Sequence, residues 1–255
     1  MRVLVTNDDG IASPGLALLA RAALAVGAEV LVAAPSDDQS GSSASLVGAE
    51  WHDRLVGKDV RAPDVPDEVR CLAMDATPGL IVLAAARGRL GLPPDLVLSG
   101  VNRGPNLGRA VVHSGTVGAA FTAATHGIEG LAVSLASPRP EHWATAEHCA
   151  LAVLRGLVAT PVGGRVLNLN VPDLPADQVL GIRRARLAPF GSAQAHVEVG
   201  DEGDVVVTYS QPDASPDDDT DSALLAKGWA TLTVVNPPTS DDTAALPDVG
   251  TWPPG

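Results

Sequence analysis

Val3-Leu-Val-Thr6, followed at once by Asn7-Asp8-Asp9-Gly10, opens the chain and decides how it is read. The first four residues are a short apolar, β-branched run of the kind that forms a buried strand. An amide, two consecutive carboxylates and a turn glycine then replace it. Ligand sites of open α/β sheets lie just beyond the carboxyl ends of the strands. Adjacent carboxylates repel unless positive charge sits between them, and a hard divalent cation held by oxygen ligands supplies it. A solvated Asp-Gly turn uses the same residues, so the choice rests on the rest of the chain.

Outward from this stretch, Ser13 stands at an N-cap position and Pro14 at the first helical position, while Gly27 suits a stop. Leu16, Leu19, Ala20 and Ala23 between them share one helical face. A second strand, Glu29 to Ala34, ends at Pro35 and completes a β-α-β unit with a right-handed crossover. The alternation continues with a helix at Leu80–Ala86, a strand at Asp95–Leu98 and a small-residue helix at Val117–Thr125. A strand at Leu131–Leu135, a helix from about Glu141 to Val158 and a strand at Val166–Asn170 follow. This order predicts a Rossmann-like, doubly wound, mostly parallel α/β sheet over residues 1–172. Beyond Pro172, strand-like stretches at Gly181–Leu187, Val205–Tyr209 and Ala230–Val235 alternate with Pro, Gly and acidic loops. They predict an antiparallel extension over residues 173–238, with 239–255 as a loosely held tail.

The 255 residues are 45% hydrophobic but only 3% aromatic, so the core must be built from Ala, Val and Leu. A net charge of −13 disfavours long nucleic acids and anionic membranes as partners, yet permits a small anion in a locally neutralised pocket. Cys71 and Cys149 lack Cys-x-x-Cys spacing, which argues against a disulfide framework or structural zinc. No leader-like segment and no run of about 20 apolar residues is present, so a cytoplasmic location is expected.

Three further loops fall at predicted strand ends. Ala34 to Leu46 is rich in hydroxyls around Ser40-Gly41, a composition also usual for a surface loop. Ser99-Gly-Val-Asn-Arg-Gly-Pro-Asn-Leu-Gly108 concentrates glycine and asparagine, which leaves backbone N–H and amide groups able to face a ligand. In His113-Ser-Gly-Thr-Val117, Ser114 or Thr116 can cap the next helix, whose N-terminus attracts anions. Two carboxylates, an amide oxygen from Asn102 or Asn106, and hydroxyls form an oxygen donor set that suits Mg²⁺, Mn²⁺ or Ca²⁺ rather than zinc. The reaction class is metal-assisted phosphoryl transfer or hydrolysis. Neither a P-loop nor a dinucleotide Gly-x-Gly-x-x-Gly follows the first strand.

These motifs, in this order, resemble the SurE family of survival-protein phosphatases, which act as 5′/3′-nucleotidases. The resemblance extends to Leu167-Asn-Leu-Asn-Val-Pro-Asp173 and to Thr220-Asp221 followed by Gly228-Trp229. It implies one divalent cation per subunit on Asp8, Asp9, Ser40 and Asn102, with Asp8 and Asp9 catalytic. Gly41, Asn106, Ser114, Gly115 and Thr116 would surround the phosphoryl group of a nucleoside monophosphate. It also implies a C-terminal extension exchanged between subunits of a homodimer or tetramer. The competing reading is a non-catalytic nucleotide- or phosphate-binding protein on the same scaffold. The chain departs from the family pattern at Asp37, where an Arg is usual, and at Gly79-Leu80-Ile81, where the usual Asp and Cys are missing. It departs again at Val234-Val235-Asn236, in place of Thr-Pro-Leu.

Overall fold

The computed structural model describes residues 1–48, 50–51, 54–189, 194–199, 205–210, 219–240 and 243. Strand β1 (Arg2–Thr6) leads into helix α1 (Pro14–Leu24) and returns as β2 (Glu29–Pro35). Proline at the first helical position starts α1, and Gly27 at φ +75° ends the turn beyond it. Ser13 occupies the N-cap position, but its side chain makes no capping bond. Two minimal strands, β3 (Glu50–Trp51) and β4 (Arg54–Leu55), pair with each other. An edge strand β5 (Gly57–Val60) then runs antiparallel to β6 (Arg70–Met74), which lies parallel to β2. Helix α2 (Pro78–Ala86) and strand β7 (Leu96–Arg103) come next, followed by a 3₁₀ helix (Gly108–His113) and α3 (Gly115–Thr125). After β8 (Glu129–Leu135), α4 (Trp143–Ala159) and β9 (Val166–Val171) come β10 (Ile182–Arg184) and the ribbon of β11 (Gln194–Val199) and β12 (Val205–Ser210). Helix α5 (Asp221–Ala226) and β13 (Ala230–Val235) close the described fold.

One sheet of nine strands in the order β10-β13-β9-β8-β7-β1-β2-β6-β5 carries the whole. Its centre is parallel: β1 lies between β2 and β7, and β8 and β9 continue outward from β7. Helices cover both faces, as a parallel sheet requires. α1 and α4 pack with Val3, Val5, Leu98 and Leu131, while α2 and α3 pack with Leu4, Leu72, Val97 and Ala33. The large side chains sealed completely from solvent are Leu, Ile, Val and Met. Small residues bring α3 down onto the sheet: a Cβ on Gly130 of β8 would sit 2.8 Å from the Ala120 carbonyl.

The α/β sheet and its antiparallel C-terminal strands agree with the sequence expectation, and three elements differ. β7 does not stop at Leu98 but continues to Arg103 through a register shift between Gly100 and Asn102. β6 and β5 extend the sheet where no strand is legible in the pattern. Past residue 172 the sheet continues: β13 runs antiparallel to β9, and β10 joins the far side of β13. Most of the expected tail lies outside the described residues. Both cysteines are buried and free.

Candidate functional site

Because β1 continues to β2 on one side and has β7 on the other, the strand order reverses at β1/β7, where an open sheet leaves a crevice at its C-terminal edge. Asn7-Asp8-Asp9-Gly10 stands at that point. Asn7 is fully buried and donates from Nδ2 to the Gly10 carbonyl (3.0 Å), closing the turn on itself. Gly10 takes φ +90°, and a Cβ there would meet the Asp37 carbonyl carbon at 3.1 Å. The β2 loop therefore lies directly over the turn, and Gln39 N–H donates to the Asp8 carbonyl (2.7 Å).

Asp8 is only 4% exposed, and its Oδ1 accepts the Thr116 hydroxyl at 2.6 Å. The Thr116 amide also turns to it. Burial nonetheless holds the Asp8 carboxyl above the usual carboxylate range, with the Thr116 bonds opposing and the charge of Asp38 adding. Asp9 is half-buried and accepts from the Arg103 backbone N–H. Burial first, then the Asp8 charge, raises it to about 6 against the lowering influence of Arg103. The sequence places two carboxylates side by side, and the fold makes both costly to ionise without positive charge.

The structure brings most of the expected site residues to this crevice, though not all as free ligands. Ser114 caps α3, its hydroxyl oxygen accepting from Val117 N–H at 3.0 Å. Gly115 is the close-approach residue: a Cβ there would lie 2.6 Å from Asp8 Oδ2 and 2.8 Å from Ser42 Oγ. Thr116 is fully buried with its hydroxyl spent on Asp8, so it orients that carboxylate rather than facing a ligand. The α3 N-terminus, expected as an anion site, thus already receives the Asp8 carboxylate. Asn102 donates from Nδ2 to the Gly104 carbonyl (2.8 Å), which leaves Oδ1 uncommitted among the described residues.

Asn106 is pinned from three sides. Its N–H donates to Asn170 Oδ1 (2.7 Å), and its carbonyl accepts from Asn168 (2.8 Å) and Asn170 (2.9 Å). Its side-chain Nδ2 donates to Ser134 Oγ (2.8 Å). Ser40 is exposed, and its hydroxyl donates to Asp38 Oδ1 (2.6 Å), whose carboxyl is held low mainly by that bond and the Ser40 amide. Gly41 turns the loop at φ +79° with open space about it. Arg103 and His113 are exposed at the rim, and His126, whose Nδ1 lies 3.0 Å from the Thr122 carbonyl, belongs to its own helix. The side chains of Trp51, Phe190 and Tyr209, the candidates for stacking on a base, lie outside the described residues.

Residues that sequence reasoning did not single out complete the crevice. Thr6 and Ser99 are register partners on β1 and β7, both fully buried. Thr6 Oγ1, Asn7 Oδ1, Asp9 Oδ2, Ser13 Oγ, Ser42 Oγ and Ser99 Oγ are all buried without a hydrogen-bond partner. Buried polar atoms in proteins nearly always have one, so their concentration around a single turn marks a place made for solvent, a cation or an anion. Among the described residues no group of three or more His, Cys, Asp or Glu side chains could hold a metal. A cation at this turn would rest on two carboxylates plus neutral oxygens, the donor chemistry of hard divalent ions.

Comparison with known proteins gives a consistent result. A family model described as Survival protein SurE matches residues 3–193. A 5′/3′-nucleotidase SurE of Erwinia tasmaniensis is 37% identical over 242 residues, covering 92% of this chain and 90% of that protein. A 5′-nucleotidase SurE of Aeromonas hydrophila is 36% identical and covers 99% and 98%. The crystal structure of the SurE protein from Aquifex aeolicus superposes with a TM-score of 0.78 at 25% identity, over 94% of this chain and 95% of that one.

Proposed function

The chain belongs to the SurE family, and from that membership and the crevice at β1/β7 we propose that it is a divalent-metal-dependent phosphomonoesterase acting on nucleoside 5′- or 3′-monophosphates. The observation that carries the reading is the Asp8–Asp9 pair, Asp8 buried against Thr116 of α3 and Asp9 half-buried with its Oδ2 unpartnered. A protein that only bound phosphate would gain nothing from two carboxylates facing an anion, unless a cation stood between them. Asp8, Asp9 and the Oδ1 end of Asn102 would hold that cation. Ser40 would join them with the lone pairs its hydroxyl keeps while donating to Asp38. When bound, the cation supplies positive charge to the phosphate oxygens and acidity to a water molecule.

The protein's own groups do the remaining work. Thr116 fixes Asp8 in one orientation through its hydroxyl and amide. Ser114 uses its oxygen lone pair for the helix cap, so its hydroxyl proton is available to a phosphate oxygen. Arg103 adds exposed positive charge beside Asp9, at the mouth an anion would enter. In hydrolysis a bond forms between phosphorus and the water oxygen, the bond from phosphorus to the ester oxygen breaks, and a proton passes to the departing alcohol. The C-terminal segment, residues 173–238, would serve assembly into a homodimer or tetramer.

The test is release of inorganic phosphate from AMP and from p-nitrophenyl phosphate with Mn²⁺, its loss in EDTA, and its return when Mn²⁺ is restored. Binding of AMP without phosphate release would replace the enzyme by a nucleotide-binding module.

A further inference from the structure

Asp221 opens α5, far in sequence from the crevice, and is fully buried. Among the described residues no Arg, Lys or His pairs with it. Three backbone N–H groups satisfy it instead, and they divide between its two oxygens. Oδ1 accepts from Ala188 (3.0 Å) and Ser222 (2.9 Å), and Oδ2 accepts from Gly108 (2.8 Å).

Each partner belongs to a different part of the molecule. Gly108 starts the 3₁₀ helix that ends at His113, directly before the Ser114 cap, and Asn106 lies two residues upstream. Ala188 stands on the way into β11, and Asp221 on the way back from β12. The two stems are tied where they meet: Arg186 N–H donates to the Asp219 carbonyl (3.1 Å) and Asp221 N–H to the Arg186 carbonyl (2.8 Å). Arg109 N–H adds a bond to the Ala188 carbonyl (3.1 Å). The loop under this clamp has a positive-φ glycine at each end, Gly104 at +102° and Gly108 at +58°. Glycine resists such geometry least, so the loop's course depends on its anchors: Asn168, Asn170 and Ser134 hold Asn106 in its middle, and Asp221 holds its end at Gly108.

We infer that Asp221 is a positioning residue, whose Oδ2 fixes Gly108 and with it the Asn106 loop and the approach to the Ser114 cap, while Oδ1 joins the same carboxylate to both ends of the β11–β12 ribbon. The inference rests on the phosphatase reading above. Asp221 touches no substrate; it acts by holding the groups that would. Coupling between sites is reciprocal, so anything that orders the phosphoryl site should also order the ribbon stems.

Asp221→Asn is the discriminating variant. It is isosteric, and its carbonyl oxygen can keep Ala188 and Ser222, but its NH₂ group then opposes the Gly108 N–H. The inhibition constant of inorganic phosphate and the KM for AMP should rise roughly tenfold, the order expected when a hydrogen bond to a charged group is lost. Mn²⁺ affinity, set mainly by Asp8 and Asp9 in the turn after β1, should not move, and circular dichroism should show the fold kept. In the wild-type protein, saturation with Mn²⁺ and inorganic phosphate should slow amide exchange in residues 186–188 and 219–222, a result a merely structural Asp221 does not predict. That second measurement decides the matter if the variant fails to fold. Active wild-type enzyme with unaltered phosphate inhibition in a folded Asp221→Asn variant, or with no change in stem exchange, overturns the inference. Wild-type protein that releases no phosphate from AMP overturns the phosphatase reading itself, and the inference falls with it.

Discussion

At the scale of single residues, the cost of two buried carboxylates organises the site. Burial raises both Asp8 and Asp9 above the usual carboxylate range; the charge of Asp38 adds to this for Asp8, and the charge of Asp8 adds to it for Asp9. Asp8→Asn and Asp9→Asn should therefore leave the fold standing, since each removes a charge without opening a cavity and Asn can still accept the Thr116 hydroxyl. Metal-dependent kcat/KM should fall at least about a hundredfold in either variant, a few kcal/mol of transition-state stabilisation. Turnover at the wild-type rate under saturating Mn²⁺ would remove the residue from the site. Asp37 invites a second experiment at this scale. It is exposed, its backbone lies over Gly10, and it stands where the family resemblance leads one to expect Arg. A cation at Asp8 and Asp9 would offset its repulsion close to the phosphate, but not for the distant charges of a polyanion. Short polyphosphate should be a poorer substrate than AMP. Asp37→Arg should narrow that gap, more at low than at high ionic strength, because screening weakens the effect of an exposed charge. Comparing kcat/KM for both substrates at two salt concentrations checks it. A polyphosphate rate unmoved at low salt would show that Asp37 faces away.

At the scale of elements, what was legible depended on whether local pattern and tertiary role coincided. β1, β9 and β13 read plainly because apolar or β-branched runs are bounded by punctuating residues. α1 reads plainly because proline and glycine mark its ends. Thr116 was legible as a cap candidate, but its use as a clamp on Asp8 was not, since that bond spans 108 positions. Gly57–Val60 is exposed along its length and Arg70–Met74 has no β-branched residue, so neither resembles a strand until β2 supplies the template. The glycines that made 99–108 look like pure loop hid the continuation of β7. Asp173 shows the same non-local logic and can be tested. It accepts from His142 N–H (2.7 Å), from Glu141 N–H (3.0 Å) and from the His142 ring (3.1 Å), fixing from just beyond β9 the two residues that lead into α4. Burial alone would raise its pKa, but these donors and the Ser137 hydroxyl together bring it below the usual value. A depressed carboxylate contributes stability that is present above its unfolded pKa of about 3.9 and is lost as pH falls through the folded value. Asp173→Asn should thus cost about 1 kcal/mol at pH 7, the net worth of a typical hydrogen bond. Urea titrations should show the two proteins converging as pH falls below the usual carboxylate range. A gap that stayed constant as the pH fell would mean that the charge of Asp173 is not what holds the entry to α4.

For the whole molecule, the parallel centre of the sheet is finished and one edge is not. Helices cover both faces of β1, β7, β8 and β9, whereas β10 is a three-residue edge strand exposed throughout. Leu180 (57% exposed), Ile182 (38%) and Val234 (39%) show apolar surface beside it. β11 and β12 pair with each other and, among the described strands, with no other. A two-stranded ribbon alone is marginal in water, and an open edge with apolar neighbours is a template for another chain. A second copy of this chain would satisfy both, because a twofold axis would present the same edge and the same ribbon to themselves. The acidic surface, at a net charge of −13, argues that such an interface is apolar and local rather than a general attraction between subunits. Light scattering at micromolar concentration should therefore give a dimer or tetramer at both low and high salt. Replacing residues 190–218 by a short linker should lower the assembly state while far-ultraviolet circular dichroism retains the sheet and helices of the core. A monodisperse wild-type monomer would refute this account and leave the ribbon to be explained by contacts within one chain.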